Sequence, residues 1–413
     1  MKKTMIIVPL MVLFLSMAGC SSNNTAGYGV QMLSTYDGAA LYQTTTPQGQ
    51  GHIKIVALNG SFTEMGQQYG FLMKTELADF YQDVVVTYLM GKLGIPYSEL
   101  LANARAGYAA SMNETQQLML GVAQTSGLTL DQVEIINASV TAAIFGPGCS
   151  AVAAWGQHTG GGPLVLGRNW DMVTGSLDRF KDYMTVVVYN PASGNSVADI
   201  NYIGQFEVFQ SAMNDKGLWI DLQDGSLSST LTDPTKQSPN KAILEFLMND
   251  STMSQLDASF MAGPASSSVV MTVADPGVAY SYFWCTQGTY RFTATAEDQS
   301  GLLAASNYFV KYPPSWTINP LPADPVAQGY SEIRMNNWLT LANSPAYNGR
   351  LNEETMKQMI ETMIPEGGGT FPASGYGDMT YYQIVAIPQA LRLWIRLPGV
   401  FDWEKVDLQG LFR

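Results

Sequence analysis

The chain has 413 residues, 46% hydrophobic and 13% charged, with a net charge of −13. So much apolar sequence supports a large core, while an acidic balance without basic runs excludes nucleic acid and anionic membrane surfaces as partners, since both need clustered Lys and Arg. With two histidines and three cysteines, no zinc spacing, calcium loop or glycine-rich phosphate loop is present, so no metal or organic cofactor is expected.

Lys2 and Lys3 precede an apolar run, Met5–Leu15, too short to span a bilayer. It reads as a signal peptide for residues 1–19. Its end, Ser16-Met-Ala-Gly-Cys20, resembles a prokaryotic lipoprotein signal, in which Cys20 is lipidated and becomes the mature N-terminus. Met17 departs from the more usual leucine, which keeps ordinary secretion as the alternative. Both place the protein outside the cytoplasm, and the lipoprotein reading has it touch membrane only through the lipid. Residues 20–52 are expected to form the tether, with Ser21–Gly29 its flexible part.

Ile53–Leu58 reads as a strand and Thr63–Tyr88 as a helical stretch, followed by helices over Tyr97–Ala110, Asn113–Ser126 and Leu130–Ala143. From Cys149 onward the composition changes to strand patterns. Strands are expected at Tyr183–Tyr189, Ser196–Ile203, Phe206–Met213, Leu218–Leu222, Ser268–Val273, Tyr280–Cys285, Tyr290–Thr295, Leu302–Ala305, Tyr381–Ile387 and Ala390–Leu397. Helices are expected at Lys241–Met248, Met253–Ala258, Glu332–Ala342 and Glu353–Thr362, with a glycine-rich loop over Pro365–Gly377.

The chemistry concentrates in Gly146–Met172, GPGCSAVAAWGQHTGGGPLVLGRNWDM. It reads as a strand from Cys149, a turn around Thr159–Gly162, and a second strand from Leu164. Folding it about Thr159–Gly160 brings Cys149 opposite Trp170–Asp171, so that a thiol, a guanidinium and a carboxylate converge. His158 sits at the hairpin tip, about 30 Å from Cys149 at ~3.3 Å per residue, and His52 is far upstream. A Cys–His dyad or a Ser–His–Asp triad is therefore not expected. The other way to activate a thiol is to make the cysteine the first residue of a chain, since a free α-amine has a pKa of about 7.7–8.0 and accepts the proton. That requires cutting the Gly148–Cys149 bond, and the preceding Gly-Pro-Gly leaves the carbonyl unobstructed.

Cys149-Ser-Ala at a strand start, with Gly167-Arg-Asn-Trp-Asp171 closing the hairpin, resembles the N-terminal-nucleophile hydrolases of the acyl-coenzyme A:isopenicillin N acyltransferase branch, related to cholylglycine hydrolases and penicillin V acylases. The likeness continues in Ser211–Trp219 (SAMNDKGLW), Ala305–Phe309 (ASNYF), Ser331-Glu-Ile-Arg334, Thr380–Ala386 (TYYQIVA) and, faintly, Gly60–Gly70. The hairpin motif is fairly specific and the others are short. The resemblance implies an α+β fold, an αββα sandwich of two stacked antiparallel sheets with the Cys149 strand central in one. It also implies a helical propeptide or α-subunit over residues 53–148 and a catalytic core over 149–413.

By the same resemblance Arg168 and Asp171 are catalytic. Asp171 would orient the new α-ammonium, and Arg168 would lower the thiol pKa. A plain surface ion pair is the alternative reading. Because residues three apart on a strand face opposite ways, a bulge or strand end is expected at Asn169–Trp170. Asn214 and Asn307 would supply the oxyanion hole, and Arg334 completes the implied set; as turn residues the two asparagines have a duller explanation. Cys285, in Tyr-Phe-Trp-Cys-Thr, is expected in the core.

The implied reaction is hydrolysis of the carbon–nitrogen amide bond of a small N-acyl substrate through an acyl-thioester on Cys149, after self-cleavage between Gly148 and Cys149. Acyl transfer from acyl-coenzyme A to an amine, phospholipase-B-like ester cleavage, and an inactive lipid-tethered binding protein are the alternatives.

Overall fold

The computed structural model describes residues 27–143, 148–175, 178–206, 210–293 and 301–413. The signal segment, Cys20, Gly146 and Pro147 lie outside them. The chain enters through three strands, β1 (Gly29–Tyr36), β2 (Ala39–Thr46) and β3 (Gly49–Gly60). Residues 29–52 are thus sheet rather than tether, a correction to the expected boundary. Asp37 and Gly38 both take positive φ, 46° and 79°, as a tight Asp-Gly hairpin turn requires.

The single helical stretch expected over 63–88 divides into α1 (Phe62–Leu72), α2 (Lys74–Phe80) and a π-helical run, Tyr81–Lys92. Its start is set by a capping box between Ser61 and Glu64. α3 (Tyr97–Ala110), α4 (Asn113–Ser126) and α5 (Leu130–Ala143) follow at the expected bounds.

The remainder alternates as the sequence suggests. β4 (Cys149–Ala154), β5 (Val165–Val173), β6 (Met184–Pro191), β7 (Val197–Tyr202), β8 (Ser211–Asn214) and β9 (Trp219–Asp224) precede α6 (Pro239–Asn249) and α7 (Met253–Met261). Then come β10 (Val269–Ala274), β11 (Ala279–Cys285), β12 (Gly288–Phe292), β13 (Leu302–Ala305), α8 (Ser331–Ala342), α9 (Glu353–Glu361), β14 (Asp378–Ile387), β15 (Arg392–Leu397) and β16 (Phe401–Asp407).

Among the described residues these strands make two sheets. One has ten strands in the order β1-β2-β3-β6-β7-β8-β9-β10-β11-β12, and the other six, β13-β4-β5-β14-β15-β16. All pairings are antiparallel except β3 with β6, where the upstream segment joins the later strands in parallel. Residues 53–148 are therefore not a helical unit laid against a finished core, because β3 is an integral strand of the larger sheet. The Cys149 strand β4 has neighbours on both sides but lies beside the edge strand β13 rather than at the sheet's centre.

The sheets stack face to face. Cys149, Ala153, Leu166 and Trp170 of the smaller sheet share one core with Val186, Ile200, Tyr202 and Ala212 of the larger, and the Trp170 and Tyr202 rings lie 5.5 Å apart. On the far side of the smaller sheet, Val152, Val165 and Val385 meet Trp338 of α8 and Met356 and Ile360 of α9. Tyr69 of α1 caps the other side of the larger sheet, its hydroxyl accepting the Gly204 N–H. Helices thus cover both outer faces, giving the αββα sandwich. Each large apolar side chain buried in these layers contributes about 1.5–3 kcal/mol.

Candidate active site

β4 and β5 pair in unbroken register, Cys149 with Trp170, Ser150 with Asn169 and Ala151 with Arg168. The hairpin turns through a short 3₁₀ segment, Gly156–Thr159, and then Gly160 and Gly161 at φ 61° and 82°. His158 is buried at that tip, 3.2 Å from Asn343 Oδ1. His52 lies on β3, its Nδ1 2.7 Å from Glu404 Oε1. Neither histidine belongs to the thiol's surroundings.

Strict alternation governs β5. Arg168 and Trp170 face the inter-sheet space with Cys149, while Asn169 and Asp171 face α8, α9 and their loops. The expected bulge at Asn169–Trp170 is absent, and the irregularity falls on β14, between Thr380 opposite Asp171 and Tyr382 opposite Trp170. The extra residue, Tyr381, lets Thr380 bond Asp171 on the outer face while the Tyr382 ring packs 4.8 Å from Trp170 on the inner one.

On the inner face the Cys149 sulfur is 3.7 Å from Arg168 Nη2. The guanidinium also donates to the Leu222 carbonyl (2.9 Å), to Gln210 Oε1 (3.4 Å) and, through Nη1, to Asp221 Oδ1 (3.4 Å). On the outer face Asp171 accepts from Arg334 Nη1 at 2.8 Å and from the Thr380 hydroxyl at 2.5 Å. Arg168 and Asp171 are therefore not a surface ion pair, for each is buried and bound to a different partner.

Asn307 joins the two faces. Its Oδ1 accepts from the Cys149 backbone N–H (2.9 Å) and from Arg334 Nη2 (2.8 Å), while Nδ2 donates to the Asp224 carbonyl (3.0 Å). Two donors converging on one amide atom require that atom to be oxygen. Asn307 thus holds the Cys149 nitrogen rather than presenting N–H₂ to an oxyanion. Arg334 follows Tyr330, which has a φ of 54°, and its guanidinium lies against the Phe371 ring at 5.2 Å.

Asn214 stands apart. Its Oδ1 accepts the backbone N–H groups of Lys216 and Leu218, and its Nδ2 donates to the Leu247 and Asp250 carbonyls at 2.9 Å each. Two of these bonds close the β8–β9 turn and two tie it to the end of α6, so the oxyanion expectation is replaced by the turn role. A different donor lies at the Gly148–Cys149 junction: the Asp171 N–H donates to the Gly148 carbonyl at 2.5 Å. A side chain on Gly148 would intrude there, with its Cβ 2.6 Å from the Asp171 carbonyl oxygen.

Burial dominates the electrostatics. It pushes the Cys149 thiol up to about 11, against the pull of Arg168. Burial likewise raises the Asp171 carboxyl to about 7 despite Arg334 and Thr380, and Asp221 to about 6 despite Arg168. The Arg334 guanidinium is pulled below its usual value by burial, with Asp171 opposing. Cys285 is buried in a separate apolar cluster with Phe283 and Phe309, as expected. Asp221 and Gln210 are site neighbours that motif matching passes over, and Thr380 opens a matched stretch to which no site role is given. For Asp221 a signal exists, an acid alternating with Ile220 and Leu222 in a buried strand.

Among the described residues no group of acidic, His and Cys side chains has the arrangement of a metal site, and no helix is long and apolar enough to cross a membrane. No protein-family model and no curated protein matches the chain. Solved structures do. A penicillin V acylase from Agrobacterium tumefaciens is 13% identical, with a TM-score of 0.41 over 63% of this chain and 86% of its own. A Caenorhabditis elegans ortholog of N-acylethanolamine-hydrolyzing acid amidase is 12% identical, with a TM-score of 0.39 over 58% of this chain and 93% of its own. This chain is also similar, at 12% identity and a TM-score of 0.43, to a conjugated bile acid hydrolase from Clostridium perfringens, over 63% of this chain and 93% of that one.

Proposed function

We propose that this protein is a cysteine N-terminal-nucleophile hydrolase that cuts its own Gly148–Cys149 bond and then hydrolyses the amide bond of small N-acyl compounds. The observation that carries this reading is the surroundings of Cys149. The thiol lies 3.7 Å from a buried guanidinium, its backbone nitrogen is held by Asn307, and neither histidine is at hand. A thiol pushed up to about 11 is a poor nucleophile at neutral pH without a base. The α-amine released by self-cleavage is the base that the sequence can supply.

In the first step the Cys149 sulfur attacks the Gly148 carbonyl carbon, whose oxygen already accepts the Asp171 N–H. The carbon–nitrogen bond breaks, the former amide nitrogen takes the thiol's proton, and Gly148 is left as a thioester on the sulfur. Water then releases the Gly148 carboxylate and the free thiol. In turnover the same sulfur attacks a substrate amide, the α-ammonium protonates the leaving amine, and water resolves the acyl-thioester. Asn307 Oδ1, which accepts the Cys149 N–H in the uncut chain, would hold that ammonium, with Asp171 the further acceptor that the family resemblance implies. An apolar acyl group and a lipid anchor at Cys20, outside the cytoplasmic membrane, belong to the same proposal.

The test uses purified wild type and Cys149→Ala. Wild type is expected to run as two fragments, with Cys149 the N-terminus of the second, and to release amine from long-chain N-acyl amides, phenoxyacetyl amides or conjugated bile salts. The variant is expected to remain one chain and be inactive. Cleavage of phospholipid or other esters but none of these amides, or an uncleaved chain that is nevertheless an active amidase, overturns the reading.

A further inference from the structure

We propose that Asp221 is a positioning residue for Cys149, acting through Arg168: from the opposite sheet it holds the guanidinium beside the sulfur and divides that guanidinium's charge between itself and the thiolate. The proposal rests on the reading of Cys149 as nucleophile and extends it to a residue outside the implied catalytic set.

Arg168 projects from β5 across the inter-sheet space, and its carbonyl, amide and carboxylate acceptors lie beyond that space, while Tyr382 of its own sheet stands beside it. Leu222 and Asp221 belong to β9, and Gln210 immediately precedes β8. Of these acceptors only Asp221 is anionic. The ion pair therefore links the nucleophile's sheet to the other one, with both side chains almost wholly shielded from water.

The contact is also loose. Its 3.4 Å separation compares with 2.8 Å for Arg334 and Asp171 in the same site. The cause lies in the other partners of Asp221. Trp219 Nε1 donates to Oδ2 at 2.9 Å, and Gln223 Nε2 donates to Oδ1, the oxygen that also faces Arg168. Gln223 is itself oriented by the Thr272 hydroxyl at 3.3 Å. A carboxylate engaged by two neutral donors holds an arginine without neutralising it fully, and in a water-poor space the remaining charge acts strongly on a sulfur 3.7 Å away. The titratable groups facing this arginine are Cys149, Asp221 and Tyr382, and the charged groups acting on the sulfur are Arg168, Asp171 and Arg334.

Two substitutions push the balance in opposite directions. Asp221→Asn removes the competing anion and leaves the guanidinium to the sulfur. Trp219→Phe keeps the anion but removes one of its neutral donors, so the carboxylate draws the guanidinium more strongly. The readout is the pH midpoint of Cys149 alkylation by iodoacetamide, followed by mass measurement of the Cys149 peptide in the full chain. Melting curves confirm that each variant is folded.

Asp221→Asn is expected to lower the midpoint by about one pH unit, and Trp219→Phe to raise it. A purely structural role would change the melting temperature and leave both midpoints in place. A folded Asp221→Asn whose midpoint is unmoved or higher overturns the proposal. Should that variant fail to fold, an unmoved or lowered midpoint in Trp219→Phe overturns it instead. Alkylation needs no turnover, so failure here is distinct from failure of the amidase reading, which shows as wild-type inactivity.

Discussion

The two faces of β5 each carry a buried arginine–aspartate pair, and the pairs are built in opposite senses. On the inner face β5 supplies the arginine, Arg168, and the partner sheet the carboxylate, Asp221, at 3.4 Å. On the outer face β5 supplies the carboxylate, Asp171, and α8 the arginine, Arg334, at 2.8 Å. The outer pair is a tight clasp whose arginine also fixes Asn307, and so sets where the Cys149 nitrogen lies. The inner pair is loose and leaves its arginine in contact with sulfur. Under the proposed function, one face would place the future α-amine and the other would tune the thiol.

Breaking the outer clasp is expected to have the largest effect on the whole molecule. Arg334→Met leaves Asp171 buried with only Thr380 as a side-chain partner and removes the second donor to Asn307. Losing one partner of a buried pair costs about 3–5 kcal/mol, a large share of a domain's stability. A lowered urea midpoint together with loss of self-cleavage is the expected result. Near wild-type stability would show that the clasp is not what holds the outer face.

The Gly148 carbonyl, scissile in the proposed reaction, sharpens the comparison, because it sits where the end of β5 meets Cys149. In Gly148→Ala the added methyl would lie 2.6 Å from the Asp171 carbonyl oxygen, forcing the two strands apart at the Gly148–Cys149 junction. The Asp171 N–H would then be drawn away from the Gly148 carbonyl. Loss of one donor to a developing oxyanion slows acyl transfer by about a hundredfold or more, so self-cleavage is expected to slow by at least about tenfold while the fold persists. Unchanged cleavage kinetics on a gel would remove this hydrogen bond from the mechanism.

The protonation states of the two faces are separable by pH. Asp171 has an ordinary carboxyl value of 3.8 when unfolded and is raised to about 7 in the fold by burial. Between those values the folded chain keeps a proton that the unfolded chain has lost, so stability from this group falls as pH rises from about 4 to 7. Asp171→Asn abolishes that term. The stability difference between wild type and variant should therefore shrink across the window. Cys149, raised to about 11, titrates above it, and self-cleavage should quicken by up to about tenfold per pH unit between pH 7 and 9 as thiolate forms. A difference that stays constant from pH 4 to 7 would mean that Asp171 is ionised throughout.

Much of this arrangement is legible in the sequence where local periodicity decides it. The helices α3, α4 and α5 and the pairing of Cys149 with Trp170 follow from apolar spacing and a glycine turn. What alternation predicted for Arg168 and Asp171, namely opposite faces, is the arrangement found, and the bulge invoked to escape it lies on β14, a strand two hundred residues away. Strands β1, β2 and β16 are not among the expected ones. β1 is an edge strand with both faces largely exposed, so no buried stripe marks it, and the Asp-Gly turn after it was the available signal. Asp221 and Thr380 could not be paired with the site from sequence, because their contacts cross between strands and sheets that only the tertiary fold brings together.

Asn214 is the smallest test and the most diagnostic of how far motif matching can be carried. The residue lies in a Met-Asn-Asp-Lys-Gly-Leu stretch that resembles an oxyanion-hole motif, yet its four hydrogen bonds go to Lys216, Leu218, Leu247 and Asp250. Asn214→Ala would leave two backbone N–H groups and two carbonyls without this partner, at a cost of about 1–3 kcal/mol. An oxyanion donor would instead lower kcat by about a hundredfold or more. The expected result is a lower melting temperature with kcat within about twofold of wild type at temperatures where both are folded. A hundredfold fall in kcat without loss of stability would return Asn214 to the catalytic set and would require the β8–β9 turn to rearrange after self-cleavage.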